Sequence, residues 1–159
     1  MIATIGIDNL VQGFQLNDGT IVEVNLIDTS GQERFNSIVS SYYKRADCCL
    51  LVYDITNKNS FKKIKEYYIE QLKEYSQNIR KVILLGNKTD LEDKREVGKE
   101  EGLALAEENK FIFMETSCVS NMNVSSAFET LIEMTTRDLL INNMGHIKSK
   151  KINNRRACC

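Results

Sequence analysis

The chain has 159 residues, 42% hydrophobic and 27% charged, the make-up of one globular domain with a core rather than of a disordered or fibrous chain. Its net charge of -1 conceals an imbalance, because residues 146–159 hold five basic residues and no acid, which leaves -6 on the rest. An acidic body excludes a nucleic-acid binder that works through a basic face, and no apolar run approaches the length that spans a bilayer. Five cysteines with no export signal, one histidine and no CxxC pair argue against a disulfide framework or a zinc site, so a soluble protein of a reducing cytosol is expected unless it is anchored.

Residues 1–8, MIATIGID, read as a strand lead-in. A polar strand over residues 8–16, the turn Asn17-Asp18-Gly19 and the alternating run TIVEVNLI at residues 20–27 predict an antiparallel hairpin. CCLLVYD (48–54), KVILLGN (81–87) and FIFMETS (111–117) are short continuous apolar runs, the pattern of strands buried on both faces. Between them, a helix over residues 60–75 turns Phe61, Ile64, Tyr68, Leu72 and Tyr75 inward, with Asn57 or Asn59 as its cap. A second helix, over residues 124–140, turns Ala127, Phe128, Leu131 and Leu139 inward. Alternating strands and helices predict an α/β domain with a doubly wound, mostly parallel sheet over residues 1–145. Residues 146–159 then form a flexible basic tail, of which 147–157 lack hydrophobic periodicity and are expected to be disordered.

In open parallel sheets, ligands bind beyond the carboxyl ends of the strands. Those ends here are DTSGQ (28–32), NKTD (87–90) and TSC (116–118). The carboxylate of Asp90 offers the two acceptors that the N1–H and exocyclic amine of guanine require and that adenine does not match. Asn87 is suited to tying neighbouring loops together, and the Lys88 stem to lying over a flat base. Asp28 is placed like the carboxylate that holds Mg²⁺ in phosphate-hydrolysing α/β proteins. Gly31 allows a backbone N–H to approach a terminal phosphate, and Gln32 allows a water to be oriented for attack. Each stretch alone also reads as an ordinary turn; their order at successive strand ends is what points to a nucleotide.

With QERF (32–35), SYYKRA (41–46), LVYDIT (51–56) and NKTD in place, the chain resembles a Rab-family small GTPase of the Ras superfamily from residue 4 to residue 140 and again at Cys158-Cys159. The resemblance implies GTP/GDP and Mg²⁺ as ligands, with Thr4 as the switch threonine that reaches the metal together with Asp28. It assigns Asp28, Gly31 and Gln32 to the second switch, with Gln32 catalytic in hydrolysis. Asn87, Lys88 and Asp90 are assigned to guanine recognition, and Ser117 with Cys118 to the loop that supports it. The family usually has Ala and Lys where this chain has Cys118 and Val119, so the backbone N–H survives and the lysine does not. The positions that match the aromatic triad used in effector reading are Asn9, Ile27 and Tyr42. Implied partners are exchange factors, GTPase-activating proteins, effectors, an escort protein and a GDP-dissociation inhibitor. The implied setting is vesicle traffic on the cytoplasmic face of an intracellular membrane, cycling with cytosol.

The phosphate loop GxxxxGK(S/T) does not occur in these residues, and the family places it, with a strand and a helix, ahead of Thr4. The octet therefore reads as the middle of a first switch in a shortened product of a complete GTPase. The expected sheet lacks its first strand, which would lie between the strands ending at Asp28 and Asp54 and leave both with unpaired backbone. A rival reading from another class is a prenylated interaction module that uses no nucleotide. In either reading Cys158 and Cys159 are similar to the doubly geranylgeranylated end of Rab proteins, and five basic residues precede or flank them to favour an anionic membrane.

Overall fold

The computed structural model describes residues 7–29, 42–76, 78–143 and 155–158. They divide into two compact units, one built from Met1–Cys49, Ser76–Lys81 and Glu129–Cys159, the other from Leu50–Tyr75 and Val82–Phe128.

In the first unit β1 (Ile7–Gln15) and β2 (Ile21–Thr29) form the antiparallel hairpin, in register from Ile7 opposite Thr29 to Gln15 opposite Ile21. Gly19 takes φ 83°, a conformation open to glycine, while Asp18 accepts a bond from the Thr20 N–H at 2.9 Å and closes the turn. Val22 and Val24 point into the core as the alternation requires, and Ile27 is buried on the opposite face. The stretch of β2 near Ile27 is thus covered on both sides.

The structure departs from the sequence reading at the tail. Arg155–Cys158 form a strand, β6, that lies parallel to β2 and to the start of β3 (Cys48–Asp54) and pairs with both. The expected open edges on β2 and β3 are therefore partly filled by the expected disordered segment. The physical reason is that a ladder is made of backbone N–H and C=O groups, which every non-proline residue carries whatever its side-chain pattern. This chain contains no proline at all.

In the second unit the remainder of β3, β4 (Lys81–Asn87) and β5 (Ile112–Thr116) form a sheet in that order, with Ile83 opposite Ile112 and Asn87 opposite Thr116 in a parallel register. Buried Leu50, Leu51, Tyr53, Ile83, Leu84 and Leu85 fill it, although Val52, within a run expected to be buried throughout, is 45% exposed. The helix over residues 60–75 is α1 (Lys58–Lys63), a π-helical turn (Ile64–Tyr68) and α2 (Ile69–Tyr75). Asn57 caps it, accepting from the N–H groups of Asn59 and Ser60 at 3.0 and 3.2 Å. The π turn adds a residue to one turn and so advances the buried face. Ile69 is buried in place of the expected Tyr68, while Phe61, Ile64 and Leu72 stay inside.

Helix α3 (Lys99–Asn109) has no counterpart in the sequence reading, since only Gly102, Leu105 and Ala106 are buried along it. Its start is fixed by the Glu101 carboxylate, which accepts from the Gly98 N–H at 2.9 Å. Helix α4 (Val124–Asn143) buries Ala127, Leu131 and Leu139 as expected, and also Ile132, Thr135 and Thr136. No helix among the described residues is long and apolar enough to cross a membrane.

Gly102 shows how closely α3 sits. A Cβ there would lie 2.6 Å from Phe113 Cε2 and against the Tyr53 hydroxyl, whose pKa burial raises to about 12. Gly102→Ala should therefore destabilise by about 1–3 kcal/mol despite its better helix propensity. Adding Tyr53→Phe, which removes a buried hydroxyl with no hydrogen-bond partner, should recover part of the loss. Thermal unfolding of the two variants checks both expectations; a Gly102→Ala chain as stable as the wild type would show that α3 moves freely.

Candidate functional site

The carboxyl ends of β4 and β5 hold five of the expected site residues within the second unit. Asn87 ends β4, and its Oδ1 accepts from Thr116 Oγ1 at 3.2 Å and from Cys118 Sγ at 3.7 Å, so one side chain joins the two strand-end loops. Lys88 follows in the left-handed region at φ 70°. A non-glycine residue there carries about 1–2 kcal/mol of backbone strain, and here it turns the chain sharply into the 3₁₀ segment Thr89–Lys94 that carries Asp90.

Asp90 is exposed, but it is aimed: its Oδ1 accepts from Ser117 Oγ at 2.5 Å. Ser117 is fully buried, is held by two backbone bonds to Met122 (3.1 and 2.9 Å), and its Oγ also accepts from the Ser120 N–H. Ser117 thus fixes one carboxylate oxygen of Asp90 and leaves lone pairs of the carboxylate directed outward. Thr89 Oγ1 donates to the Thr116 carbonyl at 3.1 Å and braces the same two loops. Cys118 and Val119 are exposed at the rim.

Sequence reasoning missed the supports. The Lys88 ammonium sits 2.5 Å from Asp54 Oδ2 at the end of β3, so the head group is anchored while its stem leads toward it. Thr56 donates its N–H and hydroxyl to Asp54 Oδ1 at 2.8 and 2.7 Å. Arg95 donates to both oxygens of Glu92 (2.7 and 2.6 Å) and to Glu115 at 2.7 Å, pinning the 3₁₀ segment to β5, and its own pKa is raised by these bonds against a smaller opposing effect of burial. The strand-end rule that singled out Asp90 applies equally to Asp54; an arginine eight residues past Asn87 carries no comparable signal.

Burial works against the Asp54 charge, yet the bonds from Lys88 and Thr56 outweigh it and hold this carboxyl below its ordinary 3.8. Between that lowered value and 3.8 the folded state binds fewer protons than the unfolded chain. The stabilisation is therefore complete above 3.8 and is lost as pH falls through the lowered value. Lys88 is 42% exposed, so solvent screening limits the pair to about 1 kcal/mol or less. Lys88→Met should lower the melting temperature at neutral pH and make less difference once pH has fallen through the lowered Asp54 value. An equal gap at both pH values would show that the pair does not govern acid stability.

Asp28 lies exposed near the end of β2 in the first unit. Thr4, Gly31, Gln32 and Cys159 lie outside the described residues, and Cys158 belongs to β6. The triad positions Asn9, Ile27 and Tyr42 line one pocket of about 150 Å³ together with Asn25 and Arg45.

The architecture is that of an α/β protein whose polar loops gather at the carboxyl ends of parallel strands, where open sheets of this kind bind their ligands. A model of the Ras family matches residues 1–137. The chain is 42% identical over 144 residues to the Ras-related protein RABA6b of Arabidopsis thaliana, covering 88% of this chain and 62% of that one. It is 45% identical over 130 residues to the Ras-related protein Rab-8A of Bos taurus (82% and 62% covered) and 44% identical over 130 residues to the GTP-binding protein ypt2 of Schizosaccharomyces pombe (82% and 64%). The chain belongs to the Rab family of small GTPases within the Ras family. It spans 62 to 64% of the length of these relatives.

Proposed function

We propose that residues 87–90 and 116–118 recognise guanine, and that in a form carrying a phosphate loop the protein is a GTP/GDP switch of vesicle traffic. The observation that carries this reading is the Asp90 carboxylate, held by Ser117 at 2.5 Å with its remaining acceptors outward, beside an Asn87 that joins both loops. The donor set fits the base: N1–H and the exocyclic amine of guanine present two adjacent donors, and a carboxylate accepts both.

In that form Thr4 and Asp28 would hold Mg²⁺, which neutralises charge on the phosphates. The Gly31 N–H would bond the terminal phosphate, and Gln32 would orient a water in line with it. As the water oxygen bonds to the γ-phosphorus, the bond to the β,γ-bridging oxygen breaks, giving GDP and phosphate. Exchange factors, GTPase-activating proteins, effectors, an escort protein and a GDP-dissociation inhibitor would act on the two states. Geranylgeranyl chains on Cys158 and Cys159, aided by the basic tail, would hold the protein on the cytoplasmic face of a membrane, two attached chains being what stable anchoring requires.

The test is competition between GDP and ADP for the loop-bearing form, with membrane fractionation of the Cys158→Ser, Cys159→Ser double variant. Guanine preference and release of the variant into the soluble fraction are expected. Equal affinity for the two nucleotides would overturn the base reading, and a variant that stays on the membrane would overturn the anchor.

A further inference from the structure

β6 takes in Cys158 and the pair Arg155-Arg156, which the lipid reading above uses for the anchor. β6 stands between β2 and β3, with residues 155–158 opposite residues 24–27 of β2, and Ala157 and Cys158 opposite Cys48 and Cys49. Its neighbours are longer, nine and seven residues, and these pairings are what join β2 to β3 within the first unit. The two partners are themselves core: Val24, Ile27, Cys48 and Cys49 are each no more than 3% exposed. A parallel central strand bonds alternately to left and right, so withdrawing β6 would strand backbone groups on two buried strands at once.

We propose that Arg155–Cys158 is a self-supplied central strand, and that seating it in the sheet and presenting it to a membrane are mutually exclusive states of the chain. The second half rests on the lipid reading above. Geometry enforces the choice. Adjacent strand residues are about 3.3 Å apart, so with Cys158 hydrogen-bonded in mid-sheet, lipids on Cys158 and Cys159 have no tether with which to reach a bilayer. Attachment would join each Sγ to C1 of an isoprenoid diphosphate, breaking the C1–O bond, with diphosphate leaving and the thiol proton going to solvent. That step needs an extended tail. The sheet slot therefore withholds the segment until something else, a lipid surface or an enzyme that binds extended tails, takes it.

Amide hydrogen exchange of the whole chain tests the first half. Residues 155–158 should exchange at least about 100-fold more slowly than in the unfolded chain, and so should amides 24–27, 48 and 49. Ala157→Pro, which removes a ladder N–H, should release all of these together. Exchange of 155–158 at the unfolded rate while β2 stays protected would overturn the inserted strand, and that wild-type measurement decides whether or not the proline variant folds. For the second half, the Cys118→Ser chain is S-farnesylated at Cys158 and Cys159 and added to vesicles of phosphatidylserine and phosphatidylcholine. Binding should bring residues 155–158 to within about threefold of the unfolded rate and weaken protection at 24–27. Full protection on bound vesicles would overturn exclusivity, whereas failure of the farnesylated chain to bind would overturn the membrane reading while leaving the separately measured strand in place.

Discussion

Purified by itself, the 159-residue chain is expected to carry no guanine nucleotide. Under the guanine reading proposed above, residues 87–90 and 116–118 supply contacts to the base alone, whereas a nucleotide is held chiefly by its phosphates. The loop that cradles them, GxxxxGK(S/T), is not among these residues. It would contribute several backbone N–H bonds and a lysine to charged oxygens, each at about 1.5–3 kcal/mol. Four such bonds amount to about 6–12 kcal/mol, or about 4–9 orders of magnitude in affinity. The proposed base contacts would not make up that difference: Asp90 already has one oxygen engaged by Ser117, and Lys88 is tied to Asp54. Denaturing the pure protein and separating any released nucleotide by chromatography measures this directly. Stoichiometric GDP or GTP would show that the base edge and the switch residues suffice, and would move the whole affinity argument onto residues 87–90 and 116–118.

Local chemistry made much of this molecule legible in its sequence. The hairpin follows from Asn17-Asp18-Gly19 and an alternating strand, and both are properties of a few adjacent residues. β3 and β4 coincide with apolar runs because strands covered on both faces along most of their length, Val52 excepted, have no polar side to interrupt them. The meeting of loops 87–90 and 116–118 was legible from position, since both follow the carboxyl ends of neighbouring strands. What escaped was set by non-local or backbone terms. The π turn at Ile64–Tyr68 changes which tyrosine or isoleucine is buried, yet a face repeating every 3.6 residues gives no warning of it. Helix α3 buries too little to show a stripe and is held by an end cap and by the fit of Gly102 against Phe113. The pairing of Lys88 with Asp54 joins residues 34 apart, and β6 pairs with β2 and β3 through backbone groups that no side-chain pattern reports.

Asp90→Asn, in a form that carries a phosphate loop, should exchange guanine for xanthine as the preferred base. Guanine presents donors at N1 and at its 2-amino group, and a carboxylate accepts both; xanthine keeps the N1 donor but has a carbonyl at C2. An asparagine matches xanthine only if its oxygen meets N1–H and its amide meets the carbonyl. The structure supplies the reason that it should adopt this orientation. Ser117 Oγ, buried and bonded to Oδ1 of residue 90 at 2.5 Å, continues to donate to an oxygen there, which directs the new NH₂ to the other position. Discrimination between a matched and an unmatched buried donor or acceptor reaches about 10⁴–10⁵, and because Asp90 is exposed the expected shift falls below that range. Competition between GDP and xanthosine diphosphate reads it out. The addition of Ser117→Ala should erode the xanthine preference without restoring guanine, because the asparagine then loses the donor that orients it. Unchanged preference for GDP in Asp90→Asn would mean that residues 87–90 form only a turn, and that the base is read elsewhere.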